Sequence, residues 1–120
     1  MHITKGYLRN NLNHVFVFGD NLKRKGYGGA ATLRDESNTY GFVTKKAPNN
    51  NDGSFYKPDT YRDKFVTELR NLIKEIVKNP DKTYLITELG GGLANRYKIR
   101  QKIIVPGLTV LEKYDNVKFI

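Results

Sequence analysis

The stretch HVFVFGDN, residues 14–21, has four consecutive apolar residues after His14 and then turns at a glycine. A continuous apolar run of this length is typical of a strand buried on both faces, as in a parallel sheet. A second run, TYLIT at residues 83–87, is followed in the same way by glycines at positions 90–92. Parallel strands need long crossover connections, so we expect helices between the two runs.

The clearest helical pattern lies between these runs, at residues 61–78. Thr60 with Asp63 resembles a capping box, and Asn79-Pro80 is expected to end the helix. A second helix is predicted at residues 29–38, with the sequence GAATLRDESN. The long helix has apolar residues at the spacing of one buried face, namely Phe65, Leu69, Leu72, Ile73, Ile76 and Val77.

The remaining segments are shorter. Strands are predicted at residues 42–44 and 117–120, and the polar stretch PNNNDGS at residues 48–54 has the turn residues of an exposed loop. Residues 99–105 fit either a helix or a strand, and Pro106-Gly107 is expected to break the element that forms there. Strands that alternate with helices favour an α/β layer fold.

Composition limits the class of protein. The chain has 120 residues, enough for one domain, and no cysteine, which excludes disulfides, thiolate metal sites and a cysteine nucleophile. The longest apolar runs are far shorter than the ~20 residues of a membrane span, and the first residues have no signal-peptide pattern. We therefore expect a cytoplasmic α/β protein with one compact domain over residues 1–120. Its mostly parallel sheet would be flanked by helices, and residues 1–13 would form an N-terminal arm or one helical turn.

Seven of the 11 glycines fall in two clusters, one after each apolar run. Ligands of parallel α/β sheets bind at the carboxyl ends of the strands, where a glycine-rich backbone can approach a phosphate closely. A pair of tight turns would explain the same glycines without a ligand, and Asn21 is a candidate for contact with a base or a ribose hydroxyl. The residues expected to line a ligand cleft are Asp20, Asn21, Gly28, Gly29, Ala30, Gly90, Gly91, Gly92, Leu93 and Ala94.

Basic and aromatic side chains adjoin both clusters. The net charge is +9, which attracts phosphates, nucleic acid or an acidic protein surface. An ordinary solvated loop on a basic protein would have the same composition. Nucleic-acid binding rests on charge alone and is ranked last, because no recognition motif accompanies the charge. The candidates for contact with a protein partner are Lys23, Arg24, Lys25, Tyr27, Arg96 and Tyr97.

The order of these motifs resembles a known family. VFVFGDN, GYGGAA, YGFVTKK and LITELGGGLA, followed by a closing NV and a final Ile, are similar to small macro-like proteins of phages and prophages, over residues 14–120. Gly91 stands where such relatives often have cysteine, which puts thiol chemistry in doubt. The resemblance implies a macro-like fold that binds ADP-ribose or a related nucleotide, and some relatives of this kind remove ADP-ribosyl groups.

The phage association implies another role, which is stoichiometric inhibition of a bacterial NAD-depleting defence protein such as a sirtuin-type NADase. Few side chains suited to catalysis are expected near the cleft. His14 opens the first strand at the end away from the predicted cleft, and only Asp20 and Glu88 lie near the glycines as candidate bases. Each carboxylate could equally cap a turn. We assign no catalytic residue, metal ligand or cofactor, and expect binding rather than turnover, with ADP-ribosyl hydrolysis as the alternative.

Overall fold

The computed structural model describes residues 2–120 and contains one four-stranded sheet. All its neighbouring strands are parallel, in the order β2-β1-β3-β4, which confirms the predicted α/β layer with a parallel sheet. The strands are β1 (His14–Asn21), β2 (Thr39–Lys45), β3 (Thr83–Ile86) and β4 (Val117–Phe119). The α-helices are α1 (Lys5–Asn10), α2 (Pro58–Lys78) and α3 (Val105–Leu108).

Each face of the sheet has its own apolar cluster. The larger cluster joins Val15, Val17 and Ile86 to α2 and to the helical segment after residue 98. The smaller cluster joins Phe16, Phe18 and Leu85 to the N-terminal residues and to Ala31 and Leu33. Alternate residues of β1 therefore enter opposite clusters, which is why its sequence is apolar without interruption.

The N-terminal segment is packed rather than loose. Leu8 of α1 is fully buried and Ile3 nearly so, both in the smaller cluster. Thr4 caps α1 by accepting the N–H of Tyr7 at 3.0 Å. Residues 3–10 thus cover one face of the sheet, so the expectation of a free arm is wrong for this part, whereas the alternative of a helical turn is confirmed.

The long helix α2 begins earlier than predicted. Pro58 occupies its first turn and the hydroxyl oxygen of Thr60 accepts the N–H of Lys57 at 3.3 Å, so the cap is at Lys57 and not at Thr60 with Asp63. Asn79 ends the helix as expected. Of the predicted apolar face, Val77 is 61% exposed. The predicted face is otherwise correct, with Phe65, Leu72 and Ile76 buried and Leu69 and Ile73 partly buried.

Two further predicted features are wrong. Residues 29–38 form only a short 3-10 helix, Gly29–Leu33, because Gly29 has a φ of +57° and because Thr39 Oγ1 donates to the carbonyls of Arg34 and Glu36. Pro106-Gly107 does not break the chain's helical path. A π-helix (Arg100–Ile104), α3 and a 3-10 helix (Thr109–Lys113) follow one another, with Pro106 in the first turn of α3, where a missing N–H costs little. No helix within residues 2–120 combines the length and the apolar character needed to cross a membrane.

Candidate functional site

A cleft of about 640 Å³ lies at the carboxyl ends of the strands. The first glycine loop, residues 22–30 after β1, forms one side, and the second glycine loop, residues 87–94 after β3, forms the other. A volume of this size is typical of small-molecule sites. All ten residues expected to line a ligand cleft border it, namely Asp20, Asn21, Gly28, Gly29, Ala30, Gly90, Gly91, Gly92, Leu93 and Ala94.

The first loop is held in shape by Arg34, a residue that the sequence analysis did not single out. Its guanidinium donates to Asp20 Oδ1 at 2.6 Å and Oδ2 at 3.1 Å, and to the carbonyls of Gly26 at 2.8 Å and Lys25 at 3.1 Å. It also lies over the ring of Phe18. Only tertiary structure brings these groups together, so no local motif could have identified Arg34.

Asp20 is a structural carboxylate. Its side chain is 2% exposed and accepts hydrogen bonds from Arg34, from the N–H of Asn21 and from Arg24. Burial raises the pKa of this carboxyl, but these hydrogen bonds and the Arg34 charge outweigh burial and hold the pKa below its ordinary value of 3.8. A carboxylate stabilised in this way is a weak base, so Asp20 organises the loop.

Asn21 also serves the loop. Its amide Nδ2 donates to the carbonyl of Lys25 at 2.7 Å, and its Oδ1 accepts the N–H of Lys23 at 3.0 Å. Both ends of the amide are therefore engaged within five residues of chain. Asn21 borders the cleft, and its side chain closes the turn through one donated and one accepted hydrogen bond.

The glycines of the two loops differ in whether the fold requires a glycine at that position. Gly90 has a φ of +74°, and a Cβ there would overlap Ile104, so the fold itself requires this glycine. A Cβ at Gly91 would lie 3.2 Å from Glu88. Gly28 has an ordinary extended backbone, with φ −75° and ψ 145°, and among residues 2–120 a Cβ there would meet no atom within 4 Å apart from its two chain neighbours. Neither conformation nor packing explains why residue 28 lacks a side chain.

The mouth of the cleft carries exposed apolar groups. Leu93 from the second loop is 69% exposed and Tyr27 from the first loop is 56% exposed. The hydroxyl of Tyr27 donates to Asp35 at 2.9 Å, which raises the pKa of Tyr27 and fixes the position of its ring. Each loop therefore offers one apolar side chain to whatever enters the cleft.

The candidates for partner contact make different local contacts. Lys25 and Tyr27 border the cleft, and Lys23 is exposed on the same loop. Arg24 instead reaches across the edge of the sheet, where it donates to the carbonyl of Gly41 at 2.8 Å and lies 3.8 Å from Glu68.

Arg96 and Tyr97 belong to a separate cluster. Both donate to the carboxylate of Asp52, and the guanidinium of Arg96 lies 4.1 Å from the ring centre of Phe55. These contacts tie the loop after β2 to the segment after the second glycine loop. Burial opposes the effect of these hydrogen bonds, but the donation from Tyr97 dominates and lowers the pKa of Asp52.

His14 and Glu88, the other titratable side chains considered for catalysis, lie at opposite ends of the strands. His14 lies at the amino end of β1, where its Nδ1 is 2.6 Å from the hydroxyl of Tyr7. Glu88 borders the cleft with its side chain 74% exposed, and its Oε1 is 3.6 Å from Nε of Arg100. Among residues 2–120, no three His, Asp or Glu side chains come together in a way that could hold a metal ion.

A sequence model of a family of unknown function, DUF7831, matches residues 1–97. Every residue that borders the cleft lies within this matched range. No curated protein and no solved structure matches the chain. Because the match covers most of the sequence, the chain belongs to the family DUF7831.

Proposed function

We propose that this chain is a binding protein whose cleft takes a nucleotide of the ADP-ribose type through its phosphate groups. The observation that supports this most directly is Gly28, which borders the cleft although neither the backbone conformation nor the packing of the protein requires a glycine there. A glycine of this kind is expected where a ligand approaches the backbone closely. The motif resemblance to macro-like proteins, which stays a prediction, suggests the same ligand class.

The charges and free amides of the cleft support an anionic ligand. Lys25, Arg34 and Lys45 border it, against the carboxylates of Asp20 and Glu88. Within residues 2–120, the N–H groups of Gly28, Gly29 and Ala30 donate to no protein acceptor. The carbonyl of Gly28 does have a partner, because it accepts the N–H of Ala31 at 3.2 Å. Unpaired amides on a glycine loop can donate to phosphate oxygens, and a net positive lining favours the same oxygens.

The carboxylates favour binding over turnover. Asp20 is held ionised by two arginines and a backbone N–H, so it would accept a proton from water poorly. Glu88 lies beside Arg100 and is largely exposed to solvent. The pKa of Asp20 is lowered, whereas a general base needs a pKa near neutrality.

The test is a comparison of two glycine variants by titration calorimetry with ADP-ribose, ADP and NAD. Gly28→Ala is expected to melt like the parent and to weaken binding by about tenfold or more, which corresponds to ~1.4 kcal/mol. Gly53→Ala is the matched control, because in the described part of the chain a Cβ at Gly53 also meets nothing within 4 Å beyond its chain neighbours, and Gly53 does not border the cleft. Absence of binding to the parent at millimolar ligand, or equal affinity of both variants, would contradict the proposal.

A second function, inhibition of a bacterial defence protein in the cytoplasm, is favoured by the mouth of the cleft. Tyr27 and Leu93 are exposed there; tyrosine is enriched at the hot spots of protein interfaces, and Leu93 adds exposed apolar surface beside it. The net charge of +9 would accelerate encounter with an acidic partner. In this case the protein would bind a sirtuin-type NADase without turnover.

Titration of such an NADase separates this function from catalysis. NAD consumption should fall in proportion to the molar ratio and reach a plateau near equivalence. Leu93→Ser should weaken the inhibition, whereas Leu12→Ser, which changes an equally exposed leucine that does not border the cleft, should not. Inhibition at a small fraction of equivalence would show turnover, and the ADP-ribosyl hydrolase alternative would then replace inhibition by binding.

A further inference from the structure

Lys45 borders the cleft at the end of β2, where the pairing of β2 with β1 is irregular. Asp20 pairs with Val43 but the next residue, Asn21, pairs with Lys45, so Thr44 is an extra residue in the β1–β2 ladder. In a regular strand, consecutive residues lie on opposite faces. Here Thr44 and Lys45 both border the cleft, because a bulge redirects the residues that follow it.

The backbone and the side chain of Lys45 are both held in place. Its carbonyl accepts the N–H of Leu22 at 3.1 Å, and the residue forms an antiparallel bridge with Phe55. Its Nζ lies 4.9 Å from the centre of the Phe55 ring. Lys45 is half-buried, so less side-chain freedom would be lost when it binds a ligand than for a fully exposed lysine.

Within residues 2–120, the ammonium group of Lys45 forms no ion pair with a carboxylate. Its positive neighbour Arg96 is paired with Asp52 at 3.3 Å and lies over the same Phe55 ring. Burial and, to a smaller extent, the Arg96 charge lower the pKa of Lys45. The charge of an anion in the cleft would oppose both effects, because it favours the protonated ammonium group.

The other cations of the cleft are less suited to this task. Arg34 donates to Asp20 and to two backbone carbonyls, which engages its guanidinium within the protein. Lys25 is exposed on the first glycine loop, and no ring or ion pair holds it among residues 2–120. Lys45 therefore combines a fixed position with an uncompensated charge.

We propose that Lys45 binds the phosphate groups of the ligand, and that the cleft consequently selects phosphate-bearing nucleotides over nucleosides. This inference rests on the proposed nucleotide-binding function and adds the residue that distinguishes the two ligand classes. A charge-assisted hydrogen bond of an ammonium group with phosphate oxygens is the interaction that a nucleoside cannot make.

The experiment compares Lys45→Gln with Lys46→Gln. Lys46 is the matched control, because its Nζ also lies over an aromatic ring, at 5.2 Å from the centre of Tyr56, but the residue does not border the cleft. With ADP, Lys45→Gln should raise Kd by roughly ten- to hundredfold and Lys46→Gln should leave it unchanged. Lys45→Arg, which keeps the charge, should retain most of the affinity and shows that position 45 tolerates substitution.

Adenosine, which lacks phosphate, should bind the parent and both glutamine variants with equal, weak affinity or bind none of them. Equal losses of ADP affinity in the two glutamine variants, or an equal loss of ADP and adenosine affinity in Lys45→Gln, would overturn the role of Lys45. If the parent binds neither ADP nor ADP-ribose, the nucleotide-binding function itself fails. The two failures are therefore distinguishable.

Discussion

The carboxylate Oε1 of Glu68 accepts the backbone N–H of Val43 at 2.6 Å, which joins the middle of α2 to the outer edge of β2. Two backbone carbonyls along this edge also accept hydrogen bonds from side chains. Tyr61 donates its hydroxyl to the carbonyl of Val43 at 2.5 Å, and Arg24 donates to the carbonyl of Gly41. An edge strand with unpaired groups is a template for another strand, so these three side chains protect β2 from strand addition.

Removal of the Glu68 carboxylate should destabilise the protein. Glu68→Ala leaves the Val43 N–H without its acceptor and removes the counter-charge of Arg24 and Lys64, so we expect a loss of about 1–3 kcal/mol in the free energy of unfolding. Urea denaturation measures this loss. Glu112→Ala, at an exposed position, is the control and should change stability by less than about 0.5 kcal/mol. Similar losses in the two variants would contradict the role of Glu68.

The apolar face of α2 gives a second prediction. Leu72 is fully buried in the larger cluster, so Leu72→Ala should cost roughly 2–5 kcal/mol through lost burial and the cavity that remains. Val77 is 61% exposed, so Val77→Ala on the same helix should cost little. The midpoints of thermal unfolding of both variants test the packing. If Leu72→Ala melts with the parent, α2 does not pack as described.

Gly107 is required by packing, because a Cβ there would overlap the ring of Phe65. Gly107→Ala should therefore destabilise the protein by about 1–3 kcal/mol, as overpacking does. In a Phe65→Leu background the shorter side chain leaves space for the added methyl group, so the same change should cost less. A double-mutant cycle on unfolding free energies measures this coupling. Strictly additive effects would exclude the contact between residues 65 and 107.

The pKa of Asp20 predicts a pH dependence of stability. Burial raises this pKa, but hydrogen bonds from Arg34 and the N–H of Asn21 lower it more, so the folded protein holds the Asp20 proton less tightly than the unfolded chain does. The resulting stabilisation is fully present above the unfolded value of 3.8 and is lost as the pH falls through the folded pKa.

Denaturation at several pH values checks this dependence. Asp20→Asn should be less stable than the parent near neutral pH, and its stability should fall less steeply below about pH 4 because the asparagine does not titrate. The remaining carboxylates are the same in both proteins, so the difference in slope belongs to Asp20. Parallel curves would show that this carboxyl contributes no pH dependence.

The parallel sheet and the convergence of the two glycine loops could be predicted from the sequence. The runs at residues 14–18 and 83–87 are apolar because both faces of their strands are buried, and that pattern is local. Parallel strands then bring whatever follows them to one edge. The face of α2 was predictable for the same reason, apart from Val77, which lies in the last turn and is exposed.

The remaining features depend on contacts that are distant in sequence. The segment at residues 29–38 has helical composition, but the Arg34 side chain turns to Asp20 and Thr39 bonds the carbonyls of Arg34 and Glu36, so tertiary interactions override propensity. Lys45 borders the cleft beside a bulge, which alternation in the sequence does not reveal. The hydrogen bonds of the Asn21 amide within its own loop are likewise not visible in the sequence pattern.

Gly28 is expected to be under a different kind of selection from the glycines that the fold requires. At Gly90 and Gly107 a mutation to alanine harms folding, so any descendant that remains folded should keep those glycines. At Gly28 alanine is compatible with the fold, so selection for glycine there would have to come from the proposed ligand. If the proposed function is correct, relatives that have lost it should accumulate other residues at position 28 while retaining Gly90 and Gly107.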